Sequence, residues 1–192
     1  MSPRTLPSRK AWPRRWKLAE KPHIFGVTGW KNSGKTTLLA SLVGHLGRQG
    51  LVVSTIKHAH HSFDIDHEGT DSWKHRKAGA RETALVSANR WAIMHELQGH
   101  DEPPLDEILA RLSPCDLVLI EGYKREGHDK IELLQGERAK DAPLWPTDRS
   151  IVAIAARYRP EGCNLPCFDP DDIASIARFI LDHCAVADTS GN

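Results

Sequence analysis

The chain has 192 residues, of which 40% are hydrophobic and 27% charged, with a net charge of +1. That length fits one domain with a core able to fold alone, and no apolar run approaches the roughly 18 residues that suggest a membrane helix. Charge is uneven: residues 1–22 hold seven basic residues against Glu20 alone, so this segment carries +6 and the remainder −5. A body of that sign offers no nucleic-acid footprint.

Residues 1–22 also contain Pro3, Pro7, Pro13 and Pro22 and read as a disordered basic tail. The pair Arg14-Arg15 is followed by no apolar stretch, so an export signal is not expected. A single nucleotide-binding domain is expected over 23–184, with a C-terminal tail over 185–192.

Ile24 to Thr28 is a short apolar run that reads as a buried strand. Gly29-Trp30-Lys31-Asn32-Ser33-Gly34-Lys35-Thr36-Thr37 follows and matches G-x-x-x-x-G-K-[ST]. Gly29 and Gly34 permit backbone angles closed to other residues, so successive N–H groups can face one anion. Lys35 is expected on the β- and γ-phosphates and the Thr36 hydroxyl on Mg²⁺. Asn32, Ser33 and Thr37 complete the cradle; Lys31 is either a phosphate contact or a solvated loop lysine. Thr36 to Gln49 is expected to be helical, with Leu38, Leu39, Leu42, Val43 and Leu46 at helical spacing and Gly47 and Gly50 closing it.

Leu51 to Ile56 reads as a second strand. The segment after it, Lys57-His58-Ala59-His60-His61-Ser62-Phe63-Asp64-Ile65-Asp66, therefore falls at the ligand edge of the sheet. Asp64 and Asp66 are candidate Mg²⁺ groups, directly or through water. His60 and His61 are candidates for a second, anionic ligand or for a transition metal. Thr70 to Lys77 is expected to be helical, Thr83 to Ser87 and Trp91 to His95 to be strands, and Leu105 to Leu112 a helix.

Asp116-Leu-Val-Leu-Ile-Glu121 is an apolar strand that delivers Glu121 to its carboxyl end beside the phosphate loop. Magnesium takes few protein carboxylates and keeps several waters, so one acid suffices there. Lys130 to Leu134 and Ile151 to Ala155 are further strands. Asp169-Pro170-Asp171-Asp172 is expected to open the last helix with Asp169 as N-cap and Pro170 in the first turn. The expected fold is α/β and P-loop NTPase-like, with a mainly parallel twisted sheet and helices on both faces. The four cysteines have no metal-binding spacing and imply no disulfides, so the expected compartment is the reducing cytoplasm.

Taken together, Gly29–Thr37, the Lys57-His58 to Asp66 segment, Gly69 with Asp71-Ser72, His75-Arg76 with Ala78-Gly79-Ala80, and Glu121-Gly122-Tyr123-Lys124 resemble the molybdopterin-guanine dinucleotide biosynthesis adapter (MobB) family over roughly residues 23–182. The resemblance implies GTP binding with Mg²⁺, a homodimer, and assistance to the molybdopterin guanylyltransferase that joins GMP to molybdopterin. It implies at most a weak GTPase. Two positions depart from the pattern: Thr70 stands where the family usually has lysine, and Ala156-Arg157 where it usually has Thr-Asp. No Asn-Lys-x-Asp segment is present, so guanine preference follows from the resemblance and not from the residues. Two other classes remain open from the motifs alone. One is a small-molecule kinase with Lys124, Arg125 and Lys130 as a basic lid; the other is a nickel-insertion GTPase. For GTP hydrolysis itself, Arg76 is the candidate transition-state arginine.

Overall fold

The computed structural model describes residues 22–59, 63–134 and 142–186. The basic tail, apart from Pro22, and residues 187–192 lie outside them. The chain divides into two compact units, one formed by the residues up to His58 together with those from Ser113 onward, the other by residues 59–112.

The first unit is built on six strands: β1 (His23–Thr28), β2 (Val53–Lys57), β5 (Leu117–Glu121), β6 (Lys130–Leu133), β7 (Ile151–Ala155) and β8 (Cys167–Phe168). They lie in the order β2-β5-β1-β6-β7-β8, and every pairing is parallel. Near-continuous apolar runs are the mark of such strands, buried on both faces; Leu117, Val118, Leu119 and Ile120 of β5 are all fully buried. The register sets Glu121 beside both Val27 and Lys57, so three strand ends meet where the chain enters the phosphate loop.

Helices α1 (Lys35–Arg48) and α4 (Ile173–Cys184) pack on one another and on one face of this sheet. Leu38, Leu42 and Leu46 of α1 and Ile176, Ala177 and Ile180 of α4 join Phe25, Val27, Leu119 and Ile131 in one core. On the β6–β7 side a second cluster gathers Leu134, Ile151, Ile154 and Cys163 under Leu144, Trp145 and Leu165. Helix α1 ends in a Schellman turn: Gly50 takes φ +87°, and the Leu51 N–H donates to the Leu46 carbonyl at 3.3 Å. Gly47 stays inside the helix, so Gly50 alone stops it.

Three local readings are corrected. Helix α4 begins at Ile173 and is capped by Asp172, whose side chain accepts from the Ser175 N–H. Asp169 instead closes a turn by accepting from the Asp171 N–H at 2.9 Å, which keeps Pro170 outside the helix. Asp116 precedes β5 rather than starting it; its carboxylate accepts from the Val52 N–H at 2.7 Å, and its own N–H donates to the Val52 carbonyl at 2.9 Å. Lys130 is fully buried: its ammonium donates to the Glu126 carbonyl, to the His128 carbonyl at 3.0 Å and to Ser150 Oγ at 2.6 Å. It is therefore a structural cation and not part of a lid.

The second unit contains α2 (Asp71–Lys77), the antiparallel pair β3 (Glu82–Val86) and β4 (Trp91–His95), and α3 (Leu105–Arg111). Thr70 caps α2 by accepting from the Trp73 N–H. The hairpin keeps large apolar side chains in solvent, with Val86 80%, Trp91 55% and Ile93 53% exposed. Among the described residues no helix is long and apolar enough to cross a membrane.

Candidate nucleotide-binding site

The loop after β1 has the backbone its glycines were expected to allow. Gly29 adopts φ +138°, and a Cβ there would stand 2.6 Å from the Leu133 carbonyl oxygen; only glycine fits. Gly34 adopts φ +93° as the N-cap of α1, with no side-chain cap, so the first N–H groups of the helix stay open to an anion. Asn32, at φ +62°, and Lys31 are exposed, as is Thr37, while Ser33 is buried.

Lys35 folds back over the loop, donating to the Trp30 carbonyl at 2.5 Å and to Ser33 Oγ at 3.4 Å. Its pKa lies below the ordinary lysine value, first because of burial and further because of Lys124 and Lys57; Glu121 opposes the shift. The Thr36 hydroxyl donates to Glu121, whose two oxygens stand at 2.9 and 3.0 Å. A hydroxyl and a carboxylate meeting at the N-terminus of a helix form an all-oxygen donor set suited to a hard divalent cation. Among the described residues no group of three or more His, Cys, Asp or Glu could hold a metal by itself.

The rest of the loop's surroundings were not legible in the sequence. The Trp30 indole N–H donates to the Ala142 carbonyl at 2.8 Å, and the Lys124 ammonium lies 4.3 Å from the centre of the Trp30 ring. The segment carrying Ala142 is itself held by Glu132. That carboxylate is fully buried and accepts from the Leu144 N–H at 2.8 Å and the Trp145 N–H at 2.9 Å; burial pushes its pKa up. Lys57 places its ammonium 3.5 Å from Glu121 Oε1. Strand alternation would have sent Lys130 and Glu132 into solvent, so only their shared position on one apolar strand hinted at a structural role.

Asp66 belongs to the second unit and is buried; Arg76 engages both of its oxygens, Nη2 at 2.5 Å and Nε at 3.1 Å, which holds its pKa below the usual carboxylate range. Arg76 also binds Asp64 at 3.0 Å and Glu96 at 2.8 Å. Its charge is thus matched by three carboxylates, which makes it the hub of that unit's ion network. His60 and His61 lie outside the described residues. Arg157, after β7, pairs with Asp171 at 2.6 Å, and the Ala156 N–H is taken by the Phe168 carbonyl.

Comparison with known proteins agrees with this geometry. Residues 24–157 match the family model of molybdopterin guanine dinucleotide synthesis protein B. The molybdopterin-guanine dinucleotide biosynthesis adapter protein of Escherichia coli K12 is 35% identical over 164 residues, covering 83% of this chain and 91% of that protein. Its counterpart from Haemophilus influenzae is 39% identical over 160 residues, covering 82% and 86%. A crystal structure of molybdopterin-guanine biosynthesis protein B superposes with a TM-score of 0.66 at 29% identity, covering 83% of this chain and 99% of the other. A phosphate loop, an acid-tipped neighbouring strand and this all-parallel sheet thus accompany relatives matched along most of their length, and the chain belongs to the molybdopterin guanine dinucleotide synthesis protein B (MobB) family.

Proposed function

We propose that this chain is a GTP-binding adapter in molybdopterin guanine dinucleotide biosynthesis. It binds GTP with Mg²⁺ and assists the guanylyltransferase that joins GMP to molybdopterin. The observation that carries the reading is the contact between Thr36 and Glu121 at the mouth of the phosphate loop. The loop N–H groups and Lys35 bind and orient the β- and γ-phosphates, and Thr36 and Glu121 hold the metal, which supplies charge neutralisation when bound. Asp66, already engaged by Arg76, is left to its structural task.

Two further features belong to this reading. The exposed apolar side chains of the β3–β4 hairpin, Val86, Trp91 and Ile93, support a homodimer, because patches of that kind mark association surfaces. All four cysteines are free thiols, which suits the cytoplasm.

Calorimetric titration with GTP and ATP, each with and without Mg²⁺, tests the nucleotide assignment. GTP should bind more tightly than ATP, and Mg²⁺ should strengthen it. Adding the chain to a molybdopterin guanylyltransferase assay should raise guanine dinucleotide output. No GTP binding, or no effect on that output, would refute the adapter reading.

A further inference from the structure

Two lysines beside the phosphate loop have no assigned task in nucleotide binding. Lys57 ends β2, and Lys124 follows β5 by three residues. A clamp between those two strand ends fixes both. The His58 ring stacks on Tyr123 with centroids 4.4 Å apart and planes at 29°, and the His58 N–H donates to the Glu121 carbonyl at 2.9 Å. Between them Gly122 sits at φ +96°, so close that a Cβ would stand 3.0 Å from that of His58. Tyr123 itself adopts φ +47°, a left-handed conformation unfavourable for a bulky side chain. Such strain persists only where the surroundings enforce it, and it collects at functional sites.

Lys57 and Lys124 are the immediate sequence neighbours of the stacked pair, so the clamp sets the origin of both stems. Their heads are also located: the Lys57 ammonium is 3.5 Å from Glu121 Oε1, and the Lys124 ammonium is 4.3 Å from the Trp30 ring centre. Both charges depress the pKa of Lys35, which places them around the same loop.

We propose that Lys57 and Lys124 form a second anion subsite beside the phosphate loop, which takes the phosphate monoester of a second ligand while a nucleotide occupies the loop. This rests on the nucleotide reading above. The nucleotide's phosphates use the loop N–H groups and Lys35, and the metal uses Thr36 and Glu121. Were the Glu121 carboxylate committed to a cation, Lys57, whose side chain is 62% exposed, would be free to face a new anion. A phosphate monoester carries close to two negative charges near neutrality, which two ammonium groups match, and lysine binds phosphate as a point charge without demanding a planar fit. Making a dinucleotide joins a nucleotide to a phosphate ester, so an acceptor phosphate held beside the donor is the chemistry this subsite serves.

The test is a pair of calorimetric titrations on the full chain, in wild type and in Lys57→Gln/Lys124→Gln. The first adds a non-hydrolysable GTP analogue with Mg²⁺ and examines the nucleotide reading by itself. The second adds inorganic phosphate to the analogue-loaded protein. One analogue should bind per chain, and the double variant should lose less analogue affinity than phosphate affinity. Phosphate should bind the loaded wild type saturably and the double variant at least about tenfold more weakly, with circular dichroism unchanged. Three results overturn the subsite: no phosphate uptake by the loaded wild type, two analogues per chain, or a double variant that loses nucleotide as strongly as phosphate. If the analogue fails to bind at all, the nucleotide reading falls alone. Phosphate uptake by the unloaded chain that the double variant abolishes then upholds the subsite, and uptake indifferent to it overturns it. Tyr123→Ala keeps both lysines and releases the clamp; it should weaken phosphate binding and spare the nucleotide, and undiminished phosphate binding would remove the clamp from the argument.

Discussion

The hydroxyl of Thr36 stands within 3.0 Å of both carboxylate oxygens of Glu121, although 85 residues separate them in sequence. The parallel register explains the meeting: β5 lies directly beside β1, so the acid at the end of one strand faces the loop that leaves the other. Glu121→Gln keeps the shape and removes the charge. The strengthening of GTP binding by Mg²⁺ should fall by about tenfold, or 1.4 kcal/mol, while binding in EDTA changes little. Equal loss in both conditions would make Glu121 a structural residue, and calorimetry with and without metal separates the two results.

Lys35→Ala tests the phosphate contact. Charge-assisted hydrogen bonds are about twice as strong as neutral ones, so GTP affinity should drop by about tenfold or more. The Trp30 carbonyl that Lys35 now holds belongs to a surface loop and can turn to water, so the melting temperature should barely move. A folded variant with unchanged affinity would remove the site assignment.

The phosphate loop was legible because its chemistry needs glycine, lysine and hydroxyl at fixed spacing between a strand and a helix. Glu121 was legible because an apolar strand that ends in a single acid carries that charge to the sheet edge where the phosphate loop opens. What lay hidden was polar and internal. Lys130 and Glu132 alternate with apolar residues as solvent-facing side chains do, yet both are fully buried, because the Ser150 and Leu144 segments supply partners from distant sequence. The cap of α4 was misplaced for a related reason: Asp169, Asp171 and Asp172 are equivalent by composition, and only the chain path decides which one caps. β8, two residues long, is too short to show any alternation. Positive φ at Tyr123 has no signature in residue type, since tyrosine is not a residue that favours it.

Glu132 links the core to the loop, and its removal should be felt in both. Glu132→Ala leaves the part-buried Leu144 and Trp145 N–H groups without their acceptor, at a cost of up to about 1–3 kcal/mol. The melting temperature should fall accordingly. GTP binding should weaken as well, because the Ala142 carbonyl that anchors Trp30 rides on the same segment. A large stability loss with normal GTP binding would show that this segment does not support the phosphate loop.

His128 should make the protein sensitive to mild acid. Among the described residues neither ring nitrogen has a hydrogen-bond partner, and burial first, then Lys130, depresses its pKa from 6.5 to about 4. The unfolded chain takes up this proton near pH 6.5, whereas the native chain resists until about pH 4. The unfolded state therefore binds more protons between those limits, and stability must fall as pH drops through that window. Glu132, with a raised pKa, acts in the opposite sense as pH rises, so the difference between wild type and variant is the useful quantity. In urea unfolding between pH 7 and pH 4, His128→Phe should lose stability less steeply than wild type. Parallel curves would mean that His128 titrates alike in both states.

Hydrolysis of GTP by the isolated chain should be slow. On the proposed reading the phosphate loop would position the γ-phosphate and a bound metal would neutralise its charge, but turnover also needs a group that orients water and a cation that stabilises the transition state. Glu121 is engaged by Thr36 and Lys57, and by the metal when one is bound. Arg76, the arginine that the sequence offered for the second task, already carries Asp64, Asp66 and Glu96, and withdrawing it would leave the carboxylate of Asp66 without its cation, which is destabilising wherever the remaining charge is shielded from water. Lys130 is committed to backbone carbonyls and Ser150. The rate should therefore lie below the usual enzyme range of about 1–10³ s⁻¹, and Arg76→Ala should lower the melting temperature without a matching loss of the residual GTPase rate. Phosphate release measured on the purified chain, alone and with the guanylyltransferase, decides the matter. The adapter reading expects the partner to raise guanine dinucleotide formation rather than phosphate release, and turnover at tens per second by the chain alone would recast it as an enzyme.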